Sequence, residues 1–196
     1  MARSKGEQTR LLLLESARDL VAERGLSALT HRAIEGRAGV SHGVTTYHFA
    51  TREALLGALL EFVGDELLAW QSAIRARLAA ADPATLDHHQ IAREVVTELM
   101  SRRNNTLARY ELYLYAARRP DLAEVMARAR RRHVDLETRA FERLGAVNPE
   151  LAANRYLSAL EGLVLYQISV PEPDFERWAP AYLMTVVRAL LDFTGA

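Results

Sequence analysis

The side chains best suited to recognising another molecule lie in one short run near the N-terminus. Ser41, His42, Thr45 and Thr46 carry small hydroxyl or imidazole groups, and Gly43 among them has no side chain. Groups of this kind can hydrogen bond to the edges of bases in the major groove of DNA, and a glycine lets the backbone approach closely. The run therefore indicates a short helix that presents a polar face to base edges.

A second group of residues flanks this run and can donate hydrogen bonds to phosphates. Arginine, tyrosine and histidine side chains serve this role, and so do the backbone N–H groups at helix N-termini. The first 52 residues carry eight basic against five acidic side chains, whereas the whole chain has 25 of each. Positive charge is thus concentrated where phosphates would be bound. The predicted phosphate contacts are Thr30, Arg32, Tyr47, His48 and Arg52.

Two short helices joined by a tight turn are needed to position these groups. Thr30 is a suitable N-cap for a helix over residues 30–38, and Gly39 and Val40 supply the turn and a packing side chain. Ser41 is the predicted cap of the second helix, over residues 41–48. This arrangement is a helix-turn-helix. An ordinary helical hairpin within a bundle is the alternative.

The rest of the chain also has helical periodicity. No segment alternates apolar and polar residues long enough to predict a strand, and few Gly or Pro residues interrupt the pattern. We predict an all-α protein with eight or nine helices, in which a three-helix DNA-binding domain over residues 1–50 precedes a larger helical bundle over residues 51–196. The predicted helices cover residues 5–24, 30–38, 41–48, 51–81, 83–103, 105–118, 120–144, 149–170 and 174–193, with Asp82 and Pro83 starting the fifth.

The first 60 residues resemble the tetracycline-repressor (TetR) family of bacterial regulators. One departure is that Thr45 and Thr46 stand where the family usually has Leu and Tyr. The resemblance implies a homodimeric repressor that binds a palindromic operator on double-stranded DNA and is released by a small molecule in the C-terminal helical domain. The residues that carry the resemblance are Arg10, Ser16, Ala17, Leu20, Gly25, Leu29, Thr30, Ala33, Ile34, Ala38, Gly39, Val40, Ser41, Gly43, Tyr47, His48, Phe49, Arg52, Glu53, Ala54, Leu55 and Leu56.

Aromatic residues of the helical bundle are candidates for the pocket of such an effector. Pockets commonly form between the helices of bundles, and a tyrosine hydroxyl can orient a ligand. The alternative is that these side chains are ordinary core residues. The predicted pocket residues are Trp70, Met100, Tyr110, Tyr113, Phe141 and Tyr166.

The last two predicted helices are apolar over an arc wider than one buried stripe requires. Helices of this kind bury two faces, so one face can pack on the body and the other on a second copy of the chain. A fully internal helix pair is the alternative. The predicted dimer contacts are Leu157, Leu160, Val164, Ile168, Leu183, Val187 and Leu190.

Several classes of chemistry are excluded or disfavoured. The chain has no cysteine, which excludes disulfides and cysteine-based metal or catalytic sites. His88 and His89 are adjacent, so on a helix they point about 100° apart and are not predicted to share a metal. No catalytic motif or cofactor fingerprint is present, so we predict neither an enzyme nor a cofactor.

The N-terminal segment indicates where the protein is located. The first seven residues are polar and the apolar run at residues 11–14 is short, so the sequence predicts a cytoplasmic protein without a signal peptide or membrane association.

Two rival functions remain beside the repressor. One rival is a helical small-molecule binder or enzyme that does not bind DNA. The other is a DNA-organising protein of the same fold that responds to no ligand.

Overall fold

The computed structural model describes residues 4–80 and 87–194, and within them it contains nine α-helices, one short 3-10 turn and no strand. This confirms the all-α prediction. The predicted helix start at Asp82 and Pro83 lies outside the described residues. The elements are α1 (Lys5–Arg24), the 3-10 turn (Leu26–Ala28), α2 (His31–Ala38), α3 (Val44–His48), α4 (Arg52–Ala80), α5 (His88–Ser101), α6 (Arg103–Ala116), α7 (Pro120–Arg143), α8 (Pro149–Ser169) and α9 (Phe175–Leu191).

Local side-chain caps explain where several helices begin. The Ser4 hydroxyl accepts from the Glu7 backbone N–H while the Glu7 carboxylate accepts from that of Ser4, a reciprocal capping box at the start of α1. The Thr30 hydroxyl accepts from the Ala33 N–H at 3.2 Å and starts α2. The Asn148 side chain accepts from the Leu151 N–H at 3.3 Å at the start of α8.

The chain forms two compact units. The first contains residues up to 67 together with 104–129, and the second contains residues 68–103 together with 130 onwards. The unit that holds the predicted DNA-binding residues thus includes more than residues 1–50, because α4 and α6 contribute to its core. That core is formed by Leu13, Leu14, Ala17, Leu20, Val21, Leu29, Ile34, Phe49, Leu55, Leu56, Leu59, Leu60, Val63, Ala108 and Leu112.

The second unit packs α9 against α5 and α8. Five predicted dimer contacts are buried in this packing within a single chain, so their assignment to the dimer interface was wrong. They occupy the sides of α8 and α9 that form the core of the unit, while Ile168 and Val187 are half-buried. The five buried residues are Leu157, Leu160, Val164, Leu183 and Leu190.

None of the described helices combines the length and the apolar character that crossing a bilayer demands.

Candidate nucleic-acid interface

Two glycines shape the turn between α2 and α3. Gly39 ends α2 with φ +66° and Gly43 precedes α3 with φ +90°, both in the left-handed region that favours glycine. The Val40 N–H donates to the Glu35 carbonyl at 3.1 Å and closes the turn. The helix-turn-helix is therefore present, but α3 starts three residues later than predicted.

The buried carboxylate of Glu35 joins α2 to the start of α3. Its Oε1 atom accepts from the backbone N–H groups of Gly43 and Thr45, each at 3.0 Å, and its Oε2 atom lies 3.1 Å from Nδ1 of His42. Glu35 is only 3% exposed. The hydrogen bond from the Thr45 N–H, with those from His42 and Gly43, lowers the pKa of Glu35 against the opposing effect of burial. The charged carboxylate thus satisfies N–H groups that Ser41 was predicted to cap.

Sequence reasoning missed Glu35, although a signal was available. Glu35 is the only acidic residue between Glu23 and Glu53, in a segment with several basic side chains. An isolated carboxylate in a segment predicted to meet phosphates opposes binding unless it is paired within the protein. The structure shows that pairing.

The predicted base-reading residues divide into two groups. Ser41, Gly43 and Thr46 are exposed, and the imidazole of His42 is 90% exposed. Thr45 is 0% exposed, so its assignment to base contact was wrong. Its side chain points into the protein because its position on the short α3 helix lies on the side that packs against α2.

A second contact between the two helices was also missed. Nδ1 of His31, the first residue of α2, lies 3.1 Å from the Thr46 hydroxyl. This contact holds the hydroxyl of an exposed α3 residue in one place. The arrangement reduces the freedom that Thr46 would lose on binding a base.

The predicted phosphate contacts lie around this surface. Arg32 is exposed and the Tyr47 side chain is 86% exposed, while His48 is half-buried with its ring 5.2 Å from that of Tyr47. Arg52 is already engaged, because its Nη1 and Nη2 atoms donate to the carbonyls of Leu29 and Leu26 at 2.7 and 3.2 Å. It therefore fixes the segment that leads into α2.

Five of the predicted pocket residues do not line the open space that Trp70 borders. The ring centroids of Tyr110 and Tyr113 lie 4.8 and 5.4 Å from the guanidinium carbon of buried Arg109, in the first compact unit. Tyr166 is 76% exposed, so its pocket assignment was wrong. Phe141 is a core residue packed edge-on against Tyr156, and Met100 is half-buried.

Trp70 does line open space in the second unit. It borders a groove of about 580 Å³ formed by α4 and α5, and a small cavity of about 10 Å³ formed by α4, α5, α7 and α8. The cavity also contacts Tyr156, a residue that sequence reasoning did not select. These spaces are the candidate ligand site.

Several large apolar side chains of α8, of α9 and of the residue after α8 are exposed. The rings of Trp178 and Tyr182 pack edge-on at 6.2 Å and are 37% and 43% exposed, and Leu165, Tyr166 and Val170 are 47–76% exposed. We call these five residues the α8/α9 surface. Large apolar side chains that stay exposed in a single chain are typical of a protein–protein interface.

Two family models match the chain. Residues 13–59 match the model described as "Bacterial regulatory proteins, tetR family", and residues 87–192 match "Tetracyclin repressor-like, C-terminal domain". Among curated proteins, the chain is similar to the HTH-type transcriptional repressor Rv3405c of Mycobacterium tuberculosis, with 29% identity over 132 residues. The alignment covers 65% of this chain and 62% of that relative, so it spans less than two thirds of the relative's length.

Solved structures resemble the whole described fold. A TetR-family regulator from Mesorhizobium loti has a TM-score of 0.78 at 17% identity, covering 95% of this chain and 98% of that one. The regulator SCO7518 of Streptomyces coelicolor has a TM-score of 0.72 at 27% identity, covering 95% and 99%. The multidrug binding protein EbrR, solved with ethidium, has a TM-score of 0.63 at 29% identity, covering 91% and 98%.

Proposed function

The chain belongs to the TetR family of bacterial regulators, and from that premise we propose that it is a homodimeric transcriptional repressor. It binds a palindromic operator and is released by a small molecule bound in its C-terminal helical domain. The observation that carries the proposal is the exposed polar surface of the helix-turn-helix. Buried Glu35 anchors the turn and α3, so their outward-facing side chains are held ready for base edges.

Within this proposal, Ser41, His42, Gly43 and Thr46 face the bases. Their exposure and small size fit the major groove, which admits a helix and presents a distinct hydrogen-bonding pattern for each base pair. Thr45 has no part in base contact.

Phosphates are bound on both sides of these residues. Arg32 and Tyr47 contact them directly, with His48 and the N-terminus of α2 at Thr30 beside them. Arg52 contributes chiefly by holding the segment before α2, and its remaining N–H groups are available for a phosphate.

The dimer forms through the α8/α9 surface. Two-fold pairing of this surface gives each dimer two helix-turn-helix motifs and accounts for a palindromic site. The recognition helices of the bound dimer then lie about 34–36 Å apart, or a multiple of that distance, so that they enter major grooves on one face of DNA.

Release by a ligand requires that the ligand favour the state that does not fit the operator. A ligand with equal affinity for both states shifts nothing, so the effector must interact differently with the second unit in the two states. EbrR, which was solved with ethidium, is a relative in which a small molecule binds such a fold.

The test is fluorescence anisotropy of the purified full chain with labelled DNA from upstream of its own gene. Measurements at low and high salt, with excess unrelated DNA, distinguish specific from general binding. We expect tight, competitor-resistant binding that weakens with salt. Thr46→Ala and Tyr47→Ala should each weaken binding about tenfold or more, since a base or phosphate contact contributes about 1–3 kcal/mol.

Glu53→Gln, an exposed change beside this surface, is the matched control and should bind as the wild type does. If no operator emerges from this DNA, selection from a random-sequence library extends the search. A folded dimer that selects no sequence would refute the repressor proposal. If Thr46→Ala and Tyr47→Ala bind operator like the wild type, the assignment of the reading surface is wrong.

A further inference from the structure

A buried ion pair lies at the centre of the second compact unit. Nη2 of Arg75, on α4, donates to Oε2 of Glu137, on α7, at 2.5 Å, and Nε donates to Oε1 at 3.4 Å. The Glu137 side chain is 1% exposed and that of Arg75 is 19% exposed. Arg75 also hydrogen bonds the buried phenol of Tyr156, on α8. Three helices thus meet in one polar cluster.

A second buried polar contact lies beside it. Oε1 of Gln71 is 2.6 Å from Nδ1 of His133, and both residues are 7% exposed. Gln71 is one turn of α4 before Arg75, so the two polar contacts are neighbours on the same helix face.

Such a cluster is costly in a helical core. Removing two charges from water is expensive, and replacing a buried ion pair with apolar residues of similar volume is often neutral or stabilising. Buried ion pairs of this kind contribute little to stability in general, so one that borders open space points to ligand recognition.

The open space beside the cluster has a mixed lining. The small cavity of about 10 Å³ has room for about one water. Its lining combines Arg75, Glu137 and Tyr156 with apolar Ile74, Val95 and Leu160. It shares Trp70 and Ile74 with the groove of about 580 Å³. The two spaces therefore adjoin each other, and the cavity has room for about one oxygen atom of a ligand whose body lies in the groove.

Every charged side chain that lines these two spaces is paired with an opposite charge within the described part of the chain. Arg75 pairs with Glu137, Arg77 pairs with Glu94, and Glu98 pairs with Arg102 at 2.6 Å. A charged ligand would lose its hydration and find no unpaired opposite charge in the site, which is unfavourable. The site instead offers donors, since Arg75 carries only N–H groups and Tyr156 an O–H.

We propose that this site takes an uncharged ligand with an aromatic or similarly flat apolar body and a hydrogen-bond-accepting oxygen. The body lies in the groove against Trp70 and Ile74, and the oxygen accepts from Arg75 and Tyr156. The inference rests on the proposed function, because it names the class of the effector. It separates this chain from EbrR, since ethidium, the compound bound there, is a cation.

The test is isothermal titration calorimetry of the full chain, without DNA, with four naphthalene compounds of similar shape. Methyl naphthyl ketone is neutral with an acceptor oxygen, naphthoate is an anion, naphthylmethylammonium is a cation, and ethylnaphthalene has no oxygen. We expect the ketone to bind about tenfold or more tightly than each of the other three, because ethylnaphthalene leaves the buried donors unpaired and the two ions bring a charge that has no partner.

Variants of the ion pair test the role of its charges. Glu137→Gln leaves the Arg75 charge uncompensated, so we expect the affinity for naphthoate relative to that for the ketone to rise about tenfold. Arg75→Met combined with Glu137→Leu removes both charges at similar volume but keeps the Tyr156 O–H, so we expect the preference for the ketone over ethylnaphthalene to be reduced and not abolished. The double variant tests the proposal even if Glu137→Gln fails to fold. Glu61→Gln, which alters the exposed Arg128–Glu61 pair, is the matched control and should keep the wild-type order.

The outcomes separate this inference from the repressor proposal. Failure of all four compounds to bind, equal binding of ketone and ethylnaphthalene to the wild type, or an undiminished preference for the ketone over ethylnaphthalene in the double variant would overturn the ligand class. Operator binding is measured separately by anisotropy, so a protein that binds operator but prefers naphthoate or naphthylmethylammonium refutes only the ligand class. A protein that binds the ketone but no DNA refutes only the repressor.

Discussion

Replacing Thr45 with valine is expected to stabilise the protein without changing its affinity for DNA. The Thr45 side chain is 0% exposed, and its hydroxyl has no hydrogen-bond partner among residues 4–80 and 87–194. An unpaired buried polar group costs about 1–3 kcal/mol, and valine keeps the shape and β-branching of threonine. The Thr45 N–H that donates to Glu35 is retained, so the start of α3 is unchanged.

The change in stability caused by Thr45→Val can be measured by thermal and urea unfolding followed by circular dichroism. For a chain of this size, each kcal/mol raises the Tm by about 2–4 °C, so Thr45→Val should raise it by a few degrees. Operator affinity, measured by anisotropy, should stay within about twofold of the wild type, since a buried side chain makes no base contact.

Thr46→Val makes the same chemical change one residue later, where the side chain is exposed and its hydroxyl contacts His31. It should weaken operator binding about tenfold while leaving the Tm nearly unchanged. A Thr45→Val variant with a lower Tm would refute the reasoning from the unpaired hydroxyl. A folded Thr45→Val variant with tenfold weaker operator binding would show that this side chain reaches DNA.

Three further predictions address other parts of the molecule. Because the pKa of Glu35 is lowered in the folded state, its carboxylate stabilises the protein above the ordinary pKa of 4.5 and loses that effect as pH falls through the folded value. The urea midpoint of Glu35→Gln should therefore lie below that of the wild type at neutral pH and converge with it in acid, whereas a difference in midpoint that stays constant with pH would contradict this. Light scattering should show that Tyr182→Glu converts the dimer to monomers, whereas Leu114→Glu, an equally drastic change at a 65% exposed residue, leaves it dimeric. A Tyr182→Glu variant that stays dimeric would place the interface elsewhere. Arg75→Met alone should cost about 3–5 kcal/mol in urea unfolding, whereas the double change with Glu137→Leu should be neutral or stabilising, and equal losses would show that the pair itself stabilises the fold.

The sequence was sufficient to locate the helix-turn-helix because its signals are local. A Thr cap and a Gly with positive φ each act within a few residues of the boundary that they set. The start of α3 was misplaced because its N–H groups are satisfied by Glu35, eight and ten residues away, rather than by Ser41. A hydrogen bond across the turn leaves no trace in local propensity.

The α8 and α9 assignments failed for a different physical reason. Both helices are apolar around most of their circumference, so periodicity does not reveal which side packs within the chain. Leu157 and Leu160 were assigned to the interface and are core, whereas Tyr166 was assigned to a pocket and is exposed. Only the packing of α9 against α5 and α8 decides between these sides.

The same contacts show how a five-residue helix can serve as a recognition element. An isolated helix of this length is unstable in water, because nucleation is not repaid by so few hydrogen bonds. The order of α3 therefore comes from its neighbours: Glu35 binds its first N–H groups, Thr45 and Phe49 bury its inner side, and His31 contacts Thr46. The residues proposed to face DNA are thus positioned by residues that do not, and we expect substitutions in α2 as well as in α3 to change the affinity for an operator.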